Sequence, residues 1–598
     1  MITFHWSDYF IFGLLLLIYA VIGLYFKFKY DYGFKRNKTV IKEYFLANRK
    51  MGLIPVTASI LVSFMSAISI LGTVSEVYVS GIEYAVIGFS YFIAFPLAAY
   101  VYLPTFYRLK IVSAHEYLEL RFGRLIRICV SIVFIIQMIF YISVVLYAPA
   151  LAFSQVSGLS LWISILSTGI VCTFYTALGG MRAVIWTDLM QFVIMLCGML
   201  TVVIVGVIRV GGVSAVWEIS KKNGRINLFN FNPDPFSRHS FWSLFFGGTG
   251  MCMSIYATNQ AQVQRYLSCR TEKIAIGSLM INTPLTFGFL WLLIGAGLVT
   301  FSSLATCDPL TSGEINKGDQ IFPYFVIRLL HQYSPLPGLF LSTIFAAGLS
   351  TISSGINSLS SVIMEDILSV CPRNDVDIAN RVNRTALYAK IIALTLGAIT
   401  ITFAFLFSLA SSTVLQIALS LFGMAGGPIL SVFTMGLIIP CVNAKGAICG
   451  LIGSILVTFW IGIGAIVTGS GVSNRLPVNV SGCLNNTSNA TVINVTNKGF
   501  SIYNLSYLYY TLVAIVVCTI LSIFVSAITG FNSQKKISKN LFFVLVPKLS
   551  KYWPVQFPDQ ITDVVEIVPK ETTNFIIASS EVQLTQHISI EDFNKNRI

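Results

Sequence analysis

Thirteen apolar runs, each long enough to cross a bilayer as a helix, alternate along this chain with shorter polar stretches. They fall at approximately 8–26, 51–78, 84–107, 127–153, 159–177, 185–208, 241–263, 274–301, 336–364, 386–408, 413–439, 444–468 and 507–530. The pattern predicts an all-α polytopic membrane protein of about thirteen transmembrane helices.

Three runs carry polar or small residues that a lipid-facing helix does not need. In 336–364, Ser350, Ser354, Ser358 and Ser361 recur at helical spacing, with Thr351 beside the first and Ala347 and Gly348 just before. This places a row of hydroxyls on one face. One reading is packing, since small residues let helices approach and Ser can bond its own backbone. The other is a cation site, where neutral oxygens replace the hydration shell of a small ion. In 51–78, Ser59, Ser63, Ser66 and Ser69 lead up to Gly72; in 241–263, Gly247, Gly248 and Gly250 cluster within four positions. Two interrupted spans five apart are the pattern of an inverted-repeat transporter. Ordinary glycine in a packed membrane helix is the plainer alternative.

Composition agrees with the pattern. Of 598 residues, 55% are hydrophobic and 11% charged, against about 25% charged in soluble domains. The first run is followed by Lys27, Lys29, Lys35 and Arg36 with no small-residue cleavage site, so it reads as a retained helix. The net charge of +14 fits basic cytosolic loops facing anionic headgroups better than nucleic-acid binding. An N-terminus outside and C-terminus in the cytosol puts thirty of the 39 Lys and Arg residues on the inner side.

In that topology Asn479, Asn485, Asn486, Asn489, Asn494 and Asn504 begin glycosylation sequons in one exoplasmic loop, whereas the sequons at Asn37 and Asn383 face the cytosol and are expected to stay bare. Cys307 and Cys483 are the cysteines clearly in outer loops, so a disulfide between them is expected. The eleven cysteines include no Cys-x-x-Cys pair. The polar tail 531–598 reads as disordered cytosolic sequence.

The middles of the runs hold no Asp, Glu, Lys or Arg, which argues against an intramembrane proton relay. The five histidines lie near ends or in loops, and there is no His-Glu-x-x-His. No catalytic constellation is present, so the chain is not expected to be an enzyme. An uncharged core can hold sodium on carbonyls and hydroxyls and an anionic solute on helix N-termini.

Several stretches resemble the sodium/solute symporter family. They are Tyr175-Thr-Ala-Leu-Gly-Gly-Met-Arg-Ala-Val-Ile-Trp-Thr-Asp188, Asn259-Gln-Ala-Gln-Val-Gln-Arg-Tyr-Leu267, Gly348-Leu-Ser-Thr351 with Ile356-Asn-Ser358, and Gly426-Gly-Pro428. Ser63-Phe-Met-Ser66, Tyr147-Ala-Pro-Ala150, Arg238-His-Ser-Phe-Trp242 and Cys307-Asp-Pro309 carry a narrower likeness to the branch of monocarboxylate, multivitamin and iodide symporters. The resemblance implies a five-plus-five inverted repeat (LeuT-like), with one helix before it and two after. The division it implies is an extra helix and basic loop at 1–50, a first repeat at 51–208, an outer loop at 209–240 and a second repeat at 241–439. Two C-terminal helices at 440–530 then enclose the glycosylated loop 469–506, before the tail 531–598.

Carried over residue by residue, the resemblance implies a sodium site of the backbone oxygens of Val62, Met65 and Ala347 with the hydroxyls of Ser350 and Thr351. Phe64, Ser66, Ser69, Tyr256 and Phe422 would line the solute site; Ser69, which would point at the ligand, stands where related members carry larger polar residues. Tyr141 is assigned to a second sodium site or an outer gate. Asp188 is assigned to the sodium exit path, with a helix N-cap or a partner for Arg182 as the alternatives. The implied function is electrogenic sodium-coupled import of a small organic anion, foremost a monocarboxylate, at the plasma membrane, with sodium, the solute and the bilayer as partners. Multivitamin (biotin or pantothenate) and iodide symport are the alternatives within the family; a solute-sensing transceptor or channel is the alternative outside it.

Overall fold

The computed structural model describes residues 5–34, 45–178, 180–368, 378–409, 413–468, 476–483, 501–531 and 538–543. Asn37, Asn485, Asn486, Asn489, Asn494 and nearly all of the 531–598 tail lie outside the described residues.

Every described element is helical, apart from one isolated bridge between Met51 and Cys269. In order they are α1 (Trp6–Phe34), α2 (Leu53–Phe64), α3 (Ala67–Ser80), α4 (Ile82–Leu109), α5 (Glu116–Phe122) and α6 (Arg124–Ser157). Then come α7 (Leu161–Leu178), α8 (Met181–Val210), α9 (Val213–Lys222), α10 (Gly248–Tyr256), α11 (Gln260–Leu267), α12 (Glu272–Leu304) and α13 (Ile321–Leu330). Last are α14 (Leu336–Val362), α15 (Ile378–Ser408), α16 (Val414–Leu421), α17 (Gly427–Ile438), α18 (Ala444–Val467) and α19 (Tyr510–Ile528). Inside a bilayer the helix is the element that satisfies its own backbone, which is why each long apolar run takes this form.

Ten of the described helices are long and apolar enough to cross a membrane, and the bent pair α2–α3 adds an eleventh. The expected runs 159–177 and 241–263 fall short by that measure. The former has an apolar stretch of Leu161–Phe174, and the latter is divided between α10 and α11.

The helices differ sharply in what surrounds them. The apolar window of α14 is 94% buried within the protein, against 28% for α8, α15 and α19. The serine-rich helix is therefore central. It packs on α1, α2, α6 and α8. Small residues set the approach: a Cβ at Gly355 would lie 2.4 Å from the Ile142 side chain on α6, and one at Gly198 on α8 would strike Thr343. Lipid tails are as apolar as the side chains, so in a bilayer close backbone contact replaces the hydrophobic drive that water would supply.

A candidate sodium and solute site between two broken helices

The first break follows from backbone accounting. Helix α2 ends at Phe64, Met65 and Ser66 leave helical geometry, and α3 restarts at Ala67 with a bend of 56°. Ser66 N–H turns back onto the Phe64 carbonyl at 2.7 Å, and the Ser66 hydroxyl caps α3 by accepting from Ser69 N–H at 3.4 Å. This withdraws the helical partner of the Val62 carbonyl. The vacancy is filled from α14: Ser350 Oγ donates to the Val62 carbonyl at 3.0 Å, and Thr351 Oγ1 reaches the Ser63 carbonyl at 3.1 Å. Both hydroxyls also lie within 3.1 Å of the Ala347 carbonyl. Five buried uncharged oxygens from two helices thus gather at one break.

Four of the five residues expected to hold sodium contribute to this cluster. Ser63, which the motif reading passed over, brings the second α2 carbonyl. Met65 makes no hydrogen bond to either hydroxyl; its N–H closes on the Leu61 carbonyl at 2.8 Å. The rest of the hydroxyl row lies outside the cluster. Ser354 is bonded by Arg265, whereas Ser358 donates to its own helix at Gly355.

The second break lies elsewhere than the glycines implied. Gly247 sits in a π-helical turn and Gly248 and Gly250 in α10, and their bare backbones admit neighbours: a Cβ at Gly247 would lie 2.5 Å from the Leu508 carbonyl. The interruption comes after Tyr256, at 257–259, where Asn259 turns extended and caps α11 by accepting from Ala261 N–H at 2.9 Å. The glycines serve packing, and the Asn that opens the motif makes the break.

Between the breaks stand two aromatic pairs. Phe64 meets Tyr256 edge-on at 5.3 Å, and Tyr141 meets Phe422 edge-on at 4.8 Å. The Tyr141 hydroxyl lies near Ser66. Ser69 turns its hydroxyl onto the Phe64 carbonyl at 3.2 Å.

Asp188 is fully buried. One of its oxygens accepts from Ser59 Oγ at 2.5 Å and from Arg265 Nη2 at 3.4 Å; the other has no partner. Arg265 Nε also donates to Ser59 Oγ at 2.8 Å. Gly180 occupies the N-cap of α8 and the cation on Asp188 is Arg265, so neither alternative weighed for Asp188, a cap or Arg182, describes its setting. Both partners were present in the quoted motifs, but spacing alone does not pair residues 77 positions apart. Motif glutamines are spent similarly: Gln262 Nε2 donates to Ser63 Oγ at 3.0 Å, and Gln260 clamps Ala114 N–H and the Val112 carbonyl at 2.8 and 3.1 Å.

A charged contact beside the first broken helix was not visible in the sequence. Arg238 grips buried Glu76 through two bonds of 2.9 and 3.2 Å and Gln416 at 2.8 Å, tying α3, the loop before α10 and α16 together. Arg238 lay within a quoted motif, yet nothing marked Glu76 as its partner.

This arrangement, a neutral oxygen cluster beside two helix breaks, defines an ion-coupled membrane transporter. Comparison with known proteins agrees. Residues 44–454 match the model of the Sodium:solute symporter family, and the chain belongs to that family. It is 41% identical to the sodium-dependent multivitamin transporter of Oryctolagus cuniculus, covering 96% of this chain and 90% of that one. It is 39% identical to the sodium-coupled monocarboxylate transporter 1 of Homo sapiens, covering 89% and 88%. A solved Na+-coupled sialic acid symporter shares the fold with a TM-score of 0.72 at 21% identity, covering 88% of this chain and 99% of that one. The chain is thus a multi-pass sodium-coupled symporter and not an enzyme.

Proposed function

We propose that this symporter imports a small organic anion with a single carboxylate across the plasma membrane by alternating access. The observation that carries the reading is the pairing of an uncharged oxygen cluster with buried aromatic pairs at the two breaks, in a chain whose relatives include monocarboxylate transporters. Sodium on Val62, Met65, Ala347, Ser350 and Thr351 would join α2 to α14 and favour the form open to the outside. Phe64, Ser66, Ser69, Tyr256 and Phe422 would enclose the solute, with Tyr141 as gate or second ion ligand and Asp188 on the exit path. Each charge crossing inward gains about 2.3 kcal/mol per 100 mV.

The reading includes thirteen spans, an outside N-terminus, repeats at 51–208 and 241–439, and glycans on Asn479, Asn485, Asn489 and Asn494. The multivitamin transporter relative, matched over nearly the whole chain, favours a second reading in which the solute is biotin or pantothenate. Both are monocarboxylates, so one site chemistry serves either. The test is uptake and current in oocytes, with sodium exchanged for an inert cation, across lactate, butyrate, biotin, pantothenate, iodide, glucose and choline. Sodium-stimulated uptake of the carboxylates is expected; if no solute is taken up faster with sodium, the reading is abandoned.

A further inference from the structure

The middle of α6 carries one polar side chain that the account so far leaves unused. Gln137 is 2% exposed, and its Nε2 is fully buried with no hydrogen-bond partner among the described residues. A buried amide left in that condition costs free energy unless something else completes it.

Its position says what that could be. One turn further along α6, Tyr141 lies on Phe422 and near Ser66 in the first break. The next residue, Met138, takes Asn259 Nδ2 on its sulfur at 3.5 Å, in the second break. Gln137 therefore stands level with both interruptions. Opposite it is Gly426, in the turn between α16 and α17, where a Cβ would come within 3.0 Å of Gln137 Nε2 and 3.2 Å of Ser254 Oγ. The lack of a side chain at Gly426 lets the amide reach this point. Ser254 has already given its proton to the Met251 carbonyl at 2.8 Å, so it offers nothing to an anion. The amide protons of Gln137 remain, and they need an acceptor.

We propose that Gln137 is a solute-binding residue that holds a carboxylate oxygen of the transported anion through its amide N–H groups. This rests on the monocarboxylate reading above. A neutral donor suits the task. It orients the carboxylate while leaving charge compensation to the sodium ion, so solute and ion stabilise each other's binding. An arginine there would neutralise the solute without sodium and weaken the coupling.

Gln137→Leu keeps the volume close and removes both donors. Loss of a hydrogen bond to a charged group predicts a rise in the KM for butyrate or biotin of roughly tenfold to hundredfold. Transient charge movements driven by sodium in the absence of solute should stay as in the parent protein. A KM within twofold of the parent at equal surface amount overturns the proposal, as does a loss confined to Vmax. If Gln137→Leu does not reach the surface, Gln137→Glu decides. Its carboxylate takes the place of the donor and repels the solute, so uptake of butyrate or biotin at equal surface amount should fall at least tenfold below the parent; uptake at the parent's level overturns the assignment. If the parent itself shows no sodium-dependent carboxylate uptake, the substrate reading has failed instead.

Discussion

Ser350 Oγ lies 3.0 Å from the carbonyl oxygen of Val62, a residue 288 positions earlier. That contact fastens the continuous, buried helix to the broken one at the point where the broken one has lost a backbone partner. Ser350→Ala and Thr351→Ala should each raise the sodium concentration for half-maximal uptake by roughly tenfold or more, as expected for loss of a bond to a charged group. The measurement is sodium activation of solute-evoked current. Identical activation curves in both variants would remove the cluster from consideration as the coupling site.

The Asp188–Arg265 pair is buried on both sides, at 0% and 1% side-chain exposure. Removing one member strands the other charge, at a cost of about 3–5 kcal/mol. Arg265→Met should therefore lower the thermal stability of detergent-purified protein strongly. The double variant Asp188→Asn with Arg265→Met should regain much of the loss. Equal instability of single and double variants would show that packing of the Arg265 stem, and not its charge, is what matters.

Two loop residues respond oppositely to pH. Burial lowers the His239 pKa to about 4 from 6.5, even with Glu76 beside it. Between those values the unfolded chain takes up a proton that the folded one refuses, so stability falls as pH drops through this window. Burial raises Asp319 from 3.8 to about 6, against the opposing effects of Val414 N–H and Lys317. The folded state holds that proton where the unfolded one has released it, so this contribution is lost as pH rises through about 6. His239→Gln should flatten the melting temperature on the acid side, from pH 6.5 down to 4. Asp319→Asn should stabilise at pH 7.5 and change little at pH 4. Parallel melting profiles across all three proteins would refute both assignments.

Cys307 and Cys483 are bonded, with Cα atoms 5.0 Å apart. The link secures the short segment 476–483, which also meets the body through Asp308 N–H on the Asn479 carbonyl at 2.9 Å and Leu476 N–H on the Val79 carbonyl at 3.1 Å. Cys483→Ser, or reductant added to intact cells, should lower stability by about 2–4 kcal/mol. Labelling by a membrane-impermeant thiol reagent only after reduction would show that the bond forms and faces outside. Labelling without reduction would contradict it.

The positions of the long helices were legible because bilayer thickness and backbone satisfaction leave few other solutions for an apolar run. The first break was legible for a related reason: Ser66 is a good cap, placed where an uninterrupted helix has no use for one. The second was misplaced to Gly247, Gly248 and Gly250, since glycine marks close approach as readily as it marks a bend. Asn259 was visible in the motif, but its capping role depends on the extended conformation that the fold imposes.

The sequence by itself determined a helical membrane protein, the hydroxyl row on its central helix, and family motifs that name most of the oxygen cluster. These depend on periodicity and residue chemistry along a single helix, which the chain carries locally. Only the tertiary structure decided that Ser63 supplies a carbonyl, that Arg265 pairs with Asp188, that Arg238 pairs with Glu76, and that the Gln137 amide faces Gly426. Each of these joins residues far apart in the chain, and which side chains meet is set by how closely the helices pack and at what height.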